Sequence, residues 1–421
     1  MPMPVAGRLG RSSPFWVDFD ALDGLDRNGL PIFRSGQTPT FARGGTVNTA
    51  SATDQRGRVH VVGASTPQLT CGYDAATGLF TPRGLRLEPQ RKNVVLSPND
   101  FGTSWTAVGT PTRVAAAASL GAVVLDLLGD DDGAAQEYYR QDLTYTGDGV
   151  KSVLAHWRAG TSPAAGGSCV QLYDVTAAVE RLGATITNNA GAPSVVMANG
   201  AYLGSQRLAD GSYVLAFAST SVTAANTNRL SVLPVVVLGQ TGNAYLGGIQ
   251  SEDARYPSSF IPQAGTALTR SAATLTIPFN ATLADFTVLI TAAIPWGFGV
   301  GAIGNLLNIG ANTDGAEMYV SNASVIAEIR GTPNTPVAGQ AITPGGLFTA
   351  VAQFANWGSA PVCRLDVGAG FGAWSSASNA RSALGAALLT LNGGSNGAAV
   401  ADYRRLIVAP SSWTRDQLSV Y

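Results

Sequence analysis

Apolar and polar residues alternate along much of this chain, in short runs separated by clusters of Gly, Asp, Asn, Thr and Pro. A period of two is the pattern of half-buried strands, and the clusters between are turn chemistry. The run from Phe348 to Phe354 alternates cleanly. Between residues 91 and 265 the pattern predicts strands at 93–96, 123–128, 137–143, 150–158, 169–174, 201–208, 212–218 and 230–238. The Asp210-Gly211 step between two of these predicts a hairpin. From 266 to 421 strands are expected at 273–277, 286–294, 305–309, 317–320, 325–330, 348–354, 362–367 and 403–409. One helix is expected, near the C-terminus, with Ser411 or Ser412 as its cap and Asp416 and Gln417 following. Residues 1–90 read as an irregular segment with two short strands, 15–19 and 58–62, that must wrap on its own sandwich or on a neighbour.

Regularly spaced short strands of this kind predict an all-β fold: two antiparallel β-sandwiches in series, residues 91–265 and 266–421, behind the N-terminal segment. A length of 421 residues fits two to three domains at roughly 150 residues each. Fifty glycines and 22 prolines suit a turn-rich chain. Charged residues make up 13% of the chain, about half the usual share of roughly 25%. Such a surface suits packed, symmetric neighbours, with a trimer as the expected form.

Net charge is −1 and no basic run stands out, so nucleic acid is not an expected partner. The apolar run 114–128 is broken by Ser119, Gly121 and Asp126, so no membrane insertion is expected. The first eleven residues lack the apolar core of a secretory signal. Cys71, Cys169 and Cys363 are far apart and read as three separate thiols, with a single bridge left open.

His60 and His156 both fall in strand-like runs and are expected to pack there. No Gly-x-Ser-x-Gly elbow accompanies them. Glu88, Glu137, Glu180, Glu252, Glu317 and Glu328 are scattered, without the paired carboxylates of a glycosidase. The chain is therefore not expected to be an enzyme, and no cofactor is implied. Asp130, Asp131 and Asp132, between two glycines, offer oxygen ligands for a calcium ion or form a solvated turn. Trp357, which follows Asn356 at a predicted turn, and Trp374, in a Gly/Ser-rich loop, are the candidate platforms for stacking a sugar, with Asn356 as a hydrogen-bonding neighbour.

Three stretches carry a resemblance. The first runs from Gly84 through Glu88, Gln90-Arg91-Lys92-Asn93 and Ser97 to Phe101 and Trp105; the second from Leu246 through Gln250, Glu252, Tyr256-Pro257 and Phe260-Ile261-Pro262 to Thr269-Arg270. In order and spacing they are similar to phage virion proteins described as head spike, head fibre or tail-fibre proteins. The third, Asp402 to Leu418, resembles the closing strand and short helix of laminin-G/concanavalin-like sandwiches. Lys92, Val94-Val95, Phe260 and Gln263 depart mildly from the family pattern. The resemblance implies a structural virion protein, a decoration, spike or fibre component of a tailed phage head, assembled in the host cytoplasm. It would contact other virion proteins through the N-terminal segment. The alternative it implies is a receptor-binding tail-fibre protein that recognises host polysaccharide through residues 266–421. Within the motifs, Arg91 with Glu88, or Arg270 with Glu252, are expected to pair, each contributing about 0–1 kcal/mol if exposed.

Overall fold

The alternation resolves into antiparallel ladders. The computed structural model of the chain describes residues 15–18, 40–43, 50–63, 66–162, 166–262, 265–281, 285–296, 303–311, 314–330, 335–336, 339–343, 345–356, 360–368, 370–375, 385–391 and 400–410. The helix expected over 411–421 lies outside them. Among the described residues every strand ladder is antiparallel, and four large sheets form two sandwiches.

In the first sandwich, sheet I orders strands Ala201–Arg207, Tyr213–Val222, Gly149–Ala159, Gly242–Glu252, Val124–Asp130 and Thr112–Ser119. The short strand Arg91–Asn93 joins it at Gly242–Glu252, and Leu268–Arg270 pairs in turn with Arg91–Asn93. Sheet II orders Ala192–Asn199, Val179–Asn189, Ser168–Asp174, Asn228–Leu233, Tyr138–Leu143 and Thr106–Val108. The hairpin Val179–Asn189/Ala192–Asn199 is a long element that the sequence pattern did not predict. Its outer strand turns Val195 and Met197 toward the core but also carries an apolar residue, Val196, on the exposed face, which blurs the polar alternation.

In the second sandwich, sheet III orders Val362–Asp366, Leu347–Ala355, Phe286–Ala293, Ala401–Pro410, Leu79–Leu87 and Gln68–Asp74, with Phe15–Asp18 also paired to Ala401–Pro410. Sheet IV runs from Thr40–Arg43 through Ala273–Ala281, Gly385–Leu391, Ile303–Ala311, Asp314–Ser321 and Ser324–Ile329 to Thr335–Pro336. Residues 15–18, 40–43 and 68–87, expected in an irregular segment, are therefore sheet strands of the second sandwich. Leu85 and Leu87 enter its core beside Phe286, Ile290, Met318, Phe354 and Tyr403. Each such side chain, fully buried, contributes about 1.5–3 kcal/mol, which holds these residues in the sheet. The first sandwich is consequently nested between strands of the second along the chain.

Strand Gly149–Ala159 is buried from Lys151 to Trp157. Val153, Ala155 and Trp157 face the core between sheets I and II. Leu154 faces the other way, with Leu125, Val214 and Ala216, onto Val59, Phe260 and Trp296. The outer face of sheet I is thus covered, by the hairpin Ala50–Thr53/Val59–Val62 and by Trp296 of the second sandwich. With both faces buried, the strand shows no polar–apolar alternation.

Candidate functional site

All three resemblance segments meet where the sandwiches join. The first segment crosses from one sandwich to the other: Leu85 and Leu87 belong to sheet III, and Arg91–Asn93 to sheet I. The second crosses back, with Leu268–Arg270 antiparallel to Arg91–Asn93 and Ala273 starting a strand of sheet IV. The third supplies Asp402, opposite Arg86 in the ladder. Arg86 grips its carboxylate two-pronged, at 2.6 and 2.8 Å, with both side chains buried.

The crossing point holds the buried pair Arg270–Glu88, at 2.8 Å with each side chain only 1% exposed. The Glu88 carboxylate also accepts the Ser259 N–H at 2.6 Å and the Ser259 hydroxyl at 2.7 Å. Burial works against ionisation of Glu88, but Arg270, Arg86 and the two Ser259 donors outweigh it and hold the carboxyl below its usual range. Gln68 donates to Ser259 Oγ and to the Ser51 carbonyl, and Ser51 Oγ donates to the Phe260 carbonyl at 2.7 Å. Hairpin, sheet III and the first sandwich's exit segment are bonded together through this one network.

Alongside it, Glu252 accepts the Ser258 N–H at 3.0 Å and Gln250 Nε2 at 2.6 Å, with Arg91 3.7 Å away. Here burial prevails over Arg91 and Arg270, and the carboxyl titrates above its usual range. Asn93 Oδ1 accepts the N–H groups of Val95 and Ser251 at 3.0 and 3.2 Å, which fixes the turn into the first sandwich. The expected pairings are exchanged: Arg270 takes Glu88 and Arg91 faces Glu252. The Arg270–Glu88 pair is fully buried, and in the other only Arg91 keeps some exposure, 22%.

His156 lies on the sandwich–sandwich face of sheet I. Its ring meets Phe260 edge-on at 5.4 Å, and Nδ1 is 3.1 Å from the Gly248 carbonyl oxygen. Burial lowers its pKa to about 4, so the ring is neutral at pH 7 and packs, as its sequence position indicated. Gly248 is required there: its φ is +51°, and a Cβ would come within 2.3 Å of His156 Nδ1. His60, expected to pack, instead points outward from the hairpin, because Val59 and Val62 are the buried positions of that strand.

The structure separates the three aspartates. Asp130 is buried, and its Oδ2 accepts the Glu137 N–H at 3.3 Å. Asp131 and Asp132 are exposed, and Asp132 Oδ1 accepts the Ala134 N–H at 2.8 Å. Glu137 closes the turn by accepting the Asp131 N–H at 3.1 Å and the Thr110 hydroxyl and N–H at 2.8 Å. Among the described residues no group of three or more His, Cys, Asp or Glu side chains is placed to hold a metal ion. The acids are spent on turn N–H groups instead. Burial raises the Asp130 pKa, and Glu137 and Asp132 add to it against two N–H donors.

Of the candidate sugar platforms, Trp357 lies outside the described residues. Asn356 is exposed, at φ +58°, in the connection between strands Leu347–Ala355 and Val362–Asp366, and its N–H donates to Asp285 at 2.8 Å. Trp374 is 40% exposed. Its segment folds back on strand Val362–Asp366, where Ser375 N–H donates to the Cys363 carbonyl at 2.7 Å and Gly372 N–H to that of Leu365 at 3.0 Å. Arg364 stands between two rings, 4.4 Å from Trp374 and 4.5 Å from Phe371, and donates to Gln353 at 2.6 Å. Sequence reading found Trp374 but missed Arg364 and Phe371. The aromatic spacing Phe371–Trp374 is visible, whereas Arg364 joins only after the loop folds back.

Three other tryptophans pack inside: Trp105 against Phe101 at 4.8 Å, Trp157 donating to Ser168 at 2.8 Å, and Trp296 between the sandwiches. Cys71, Cys169 and Cys363 are free thiols, and burial raises the pKa of each. No helix among the described residues is long and apolar enough to cross a membrane.

No family model and no curated protein matches the sequence. Among solved structures, the mouse laminin alpha1 chain, domains LG4-5, matches at 12% identity and a TM-score of 0.22, over 73% of this chain and 92% of that one. The fold class is nevertheless plain from the chain's own strand pairing: an all-β molecule of antiparallel sheets packed as jelly-roll-like sandwiches.

Proposed function

We propose that the chain is a non-enzymatic structural protein of a tailed-phage or phage-like particle, a decoration, spike or fibre component of the head surface that acts by binding. The observation that carries this reading is the junction. The segments that resemble head spike and fibre proteins are the ones spent on locking two sandwiches together, through Glu88, Arg270 and Ser259, while Arg86 of the first holds Asp402 of the third segment. A molecule whose distinctive residues build an internal brace is organised to present rigid surfaces. Contacts with other virion proteins run through the N-terminal segment, and self-association is trimeric. The test is quantitative mass spectrometry of particles purified by density gradient from a strain that encodes the chain. The reading expects the chain at a fixed ratio to the major capsid protein. Its absence from the particle band, with the chain found free at the top of the gradient, refutes it.

A second reading is favoured by exposed Trp374 beside half-buried Arg364 and Phe371: recognition of host surface polysaccharide by the second sandwich. An exposed indole beside a guanidinium offers both a flat apolar face and hydrogen-bond donors.

A further inference from the structure

Across sheet III, from its edge strand Gln68–Asp74 to Leu347, a groove of about 220 Å³ opens, lined by Tyr73, Asp74, Pro82, Arg83, Leu347 and Arg404 among others. Arg83 lies flat across Gly72, where a Cβ would come within 2.6 Å of the guanidinium carbon, so the side chain's course depends on that glycine. Among the described residues no carboxylate or carbonyl is bonded to Arg83. The acid whose field reaches it, Asp402, is held two-pronged by Arg86. Burial lowers the Arg83 pKa, Asp402 opposes this, and Arg86 adds to it. Arg83 is thus a desolvated cation whose local counter-charge is already taken.

The other walls define what fits. Asp74 turns its carboxylate into its own turn, accepting the Ala76 N–H at 2.9 Å and the Thr77 hydroxyl at 2.8 Å. Tyr73 is pinned from the first sandwich by Arg207, which donates to its hydroxyl at 3.0 Å and lies 4.6 Å from its ring centre. Leu347, 51% exposed, and Pro82 supply apolar surface. A volume below the roughly 300–1,000 Å³ of drug-sized pockets suits one small ring. An arginine fork matches a carboxylate in two parallel hydrogen bonds.

We propose that this groove binds a carboxylate-bearing sugar, one hexuronate unit of an acidic polysaccharide, with its carboxylate on Arg83 and the C–H face of its ring against Leu347 and Pro82. The proposal rests on the reading that the chain acts by binding, and names a glycan class for it. A particle that carries the chain while uronates fail to bind would separate the two.

The experiment is saturation-transfer NMR with titration on the full chain, using galacturonate, glucuronate, galactose, glucose and inorganic phosphate. Uronates are expected to bind at least about tenfold tighter than the neutral sugars, and Arg83→Gln to remove that preference. Val196→Ala, exposed on the first sandwich, is expected to leave it unchanged, which places the site in this groove. Equal binding of uronate and neutral sugar, or an Arg83→Gln variant that binds uronate like the parent, overturns the proposal. So does phosphate binding without uronate binding. If Arg83→Gln does not fold, Arg83→Lys is read instead: it keeps the charge and loses the fork, and unchanged uronate affinity overturns the proposal.

Discussion

Replacing Arg270 with alanine leaves the Glu88 carboxylate buried, still bonded to Ser259 but without the guanidinium 2.8 Å away. Breaking a buried pair from one side costs about 3–5 kcal/mol, because an uncompensated charge remains. For units of 150–250 residues that corresponds to a fall in Tm of roughly 6–20 °C. Glu88 has its pKa lowered in the folded state, so its contribution is complete above the unfolded carboxyl pKa of about 4.3 and is lost as pH falls through the folded value. The parent therefore loses this stabilisation on acidification and Arg270→Ala, already without it, does not. The gap between them is expected to be widest at pH 7 and to narrow toward pH 2. Urea titrations followed by tryptophan fluorescence at several pH values measure it. The variant is also expected to split the unfolding transition in two, since each sandwich keeps its own core. A gap under about 1 kcal/mol at pH 7, where exposed pairs fall, or one that does not change with pH, would refute the reasoning.

His156 supplies a second pH signature. Its folded pKa of about 4 lies below the unfolded value of about 6.5, so stability is complete above 6.5 and falls by about 3 kcal/mol as pH drops to 4. The His156→Leu variant is expected to lack that part of the slope in denaturant titrations, and equal slopes would contradict it. Asp130 has the opposite sign: its raised pKa means the buried carboxylate is disfavoured at neutral pH and relieved by protonation. Asp130→Asn is expected to raise the thermal midpoint at pH 7 with the gain gone at pH 3, and a chelator is expected to leave the parent's midpoint unmoved. Trp374→Ala is expected to weaken adsorption of particles to host cells while leaving chain incorporation and thermal midpoint near the parent's. Equal adsorption removes the Trp374–Arg364 array from the receptor reading.

Strand identity was legible from runs rich in β-branched and aromatic residues between turn residues, even where both faces are buried. The runs 348–354 and 286–294 became Leu347–Ala355 and Phe286–Ala293 with register to match. What the sequence hid was pairing across distance. Leu85 and Leu87 look like any apolar pair in a Gly- and Arg-rich stretch, and only their neighbours Ala401 and Tyr403, over 300 residues away, make them core. The polar junction was invisible for the same reason: Glu88 bonds Arg270 and Ser259, Gln68 bonds Ser259, and no local pattern encodes those partners. The candidate surface was half legible, since an aromatic in a Gly/Ser-rich loop signals exposure, whereas Arg364 reaches it only through the fold-back of residues 370–375.

The measurement that tests the account most directly is immunogold labelling of purified particles from a strain encoding the chain, viewed by electron microscopy. The account predicts label distributed over the head surface. Label confined to the tail tip would contradict the decoration reading in favour of receptor binding, and intact particles without label would contradict the virion assignment itself.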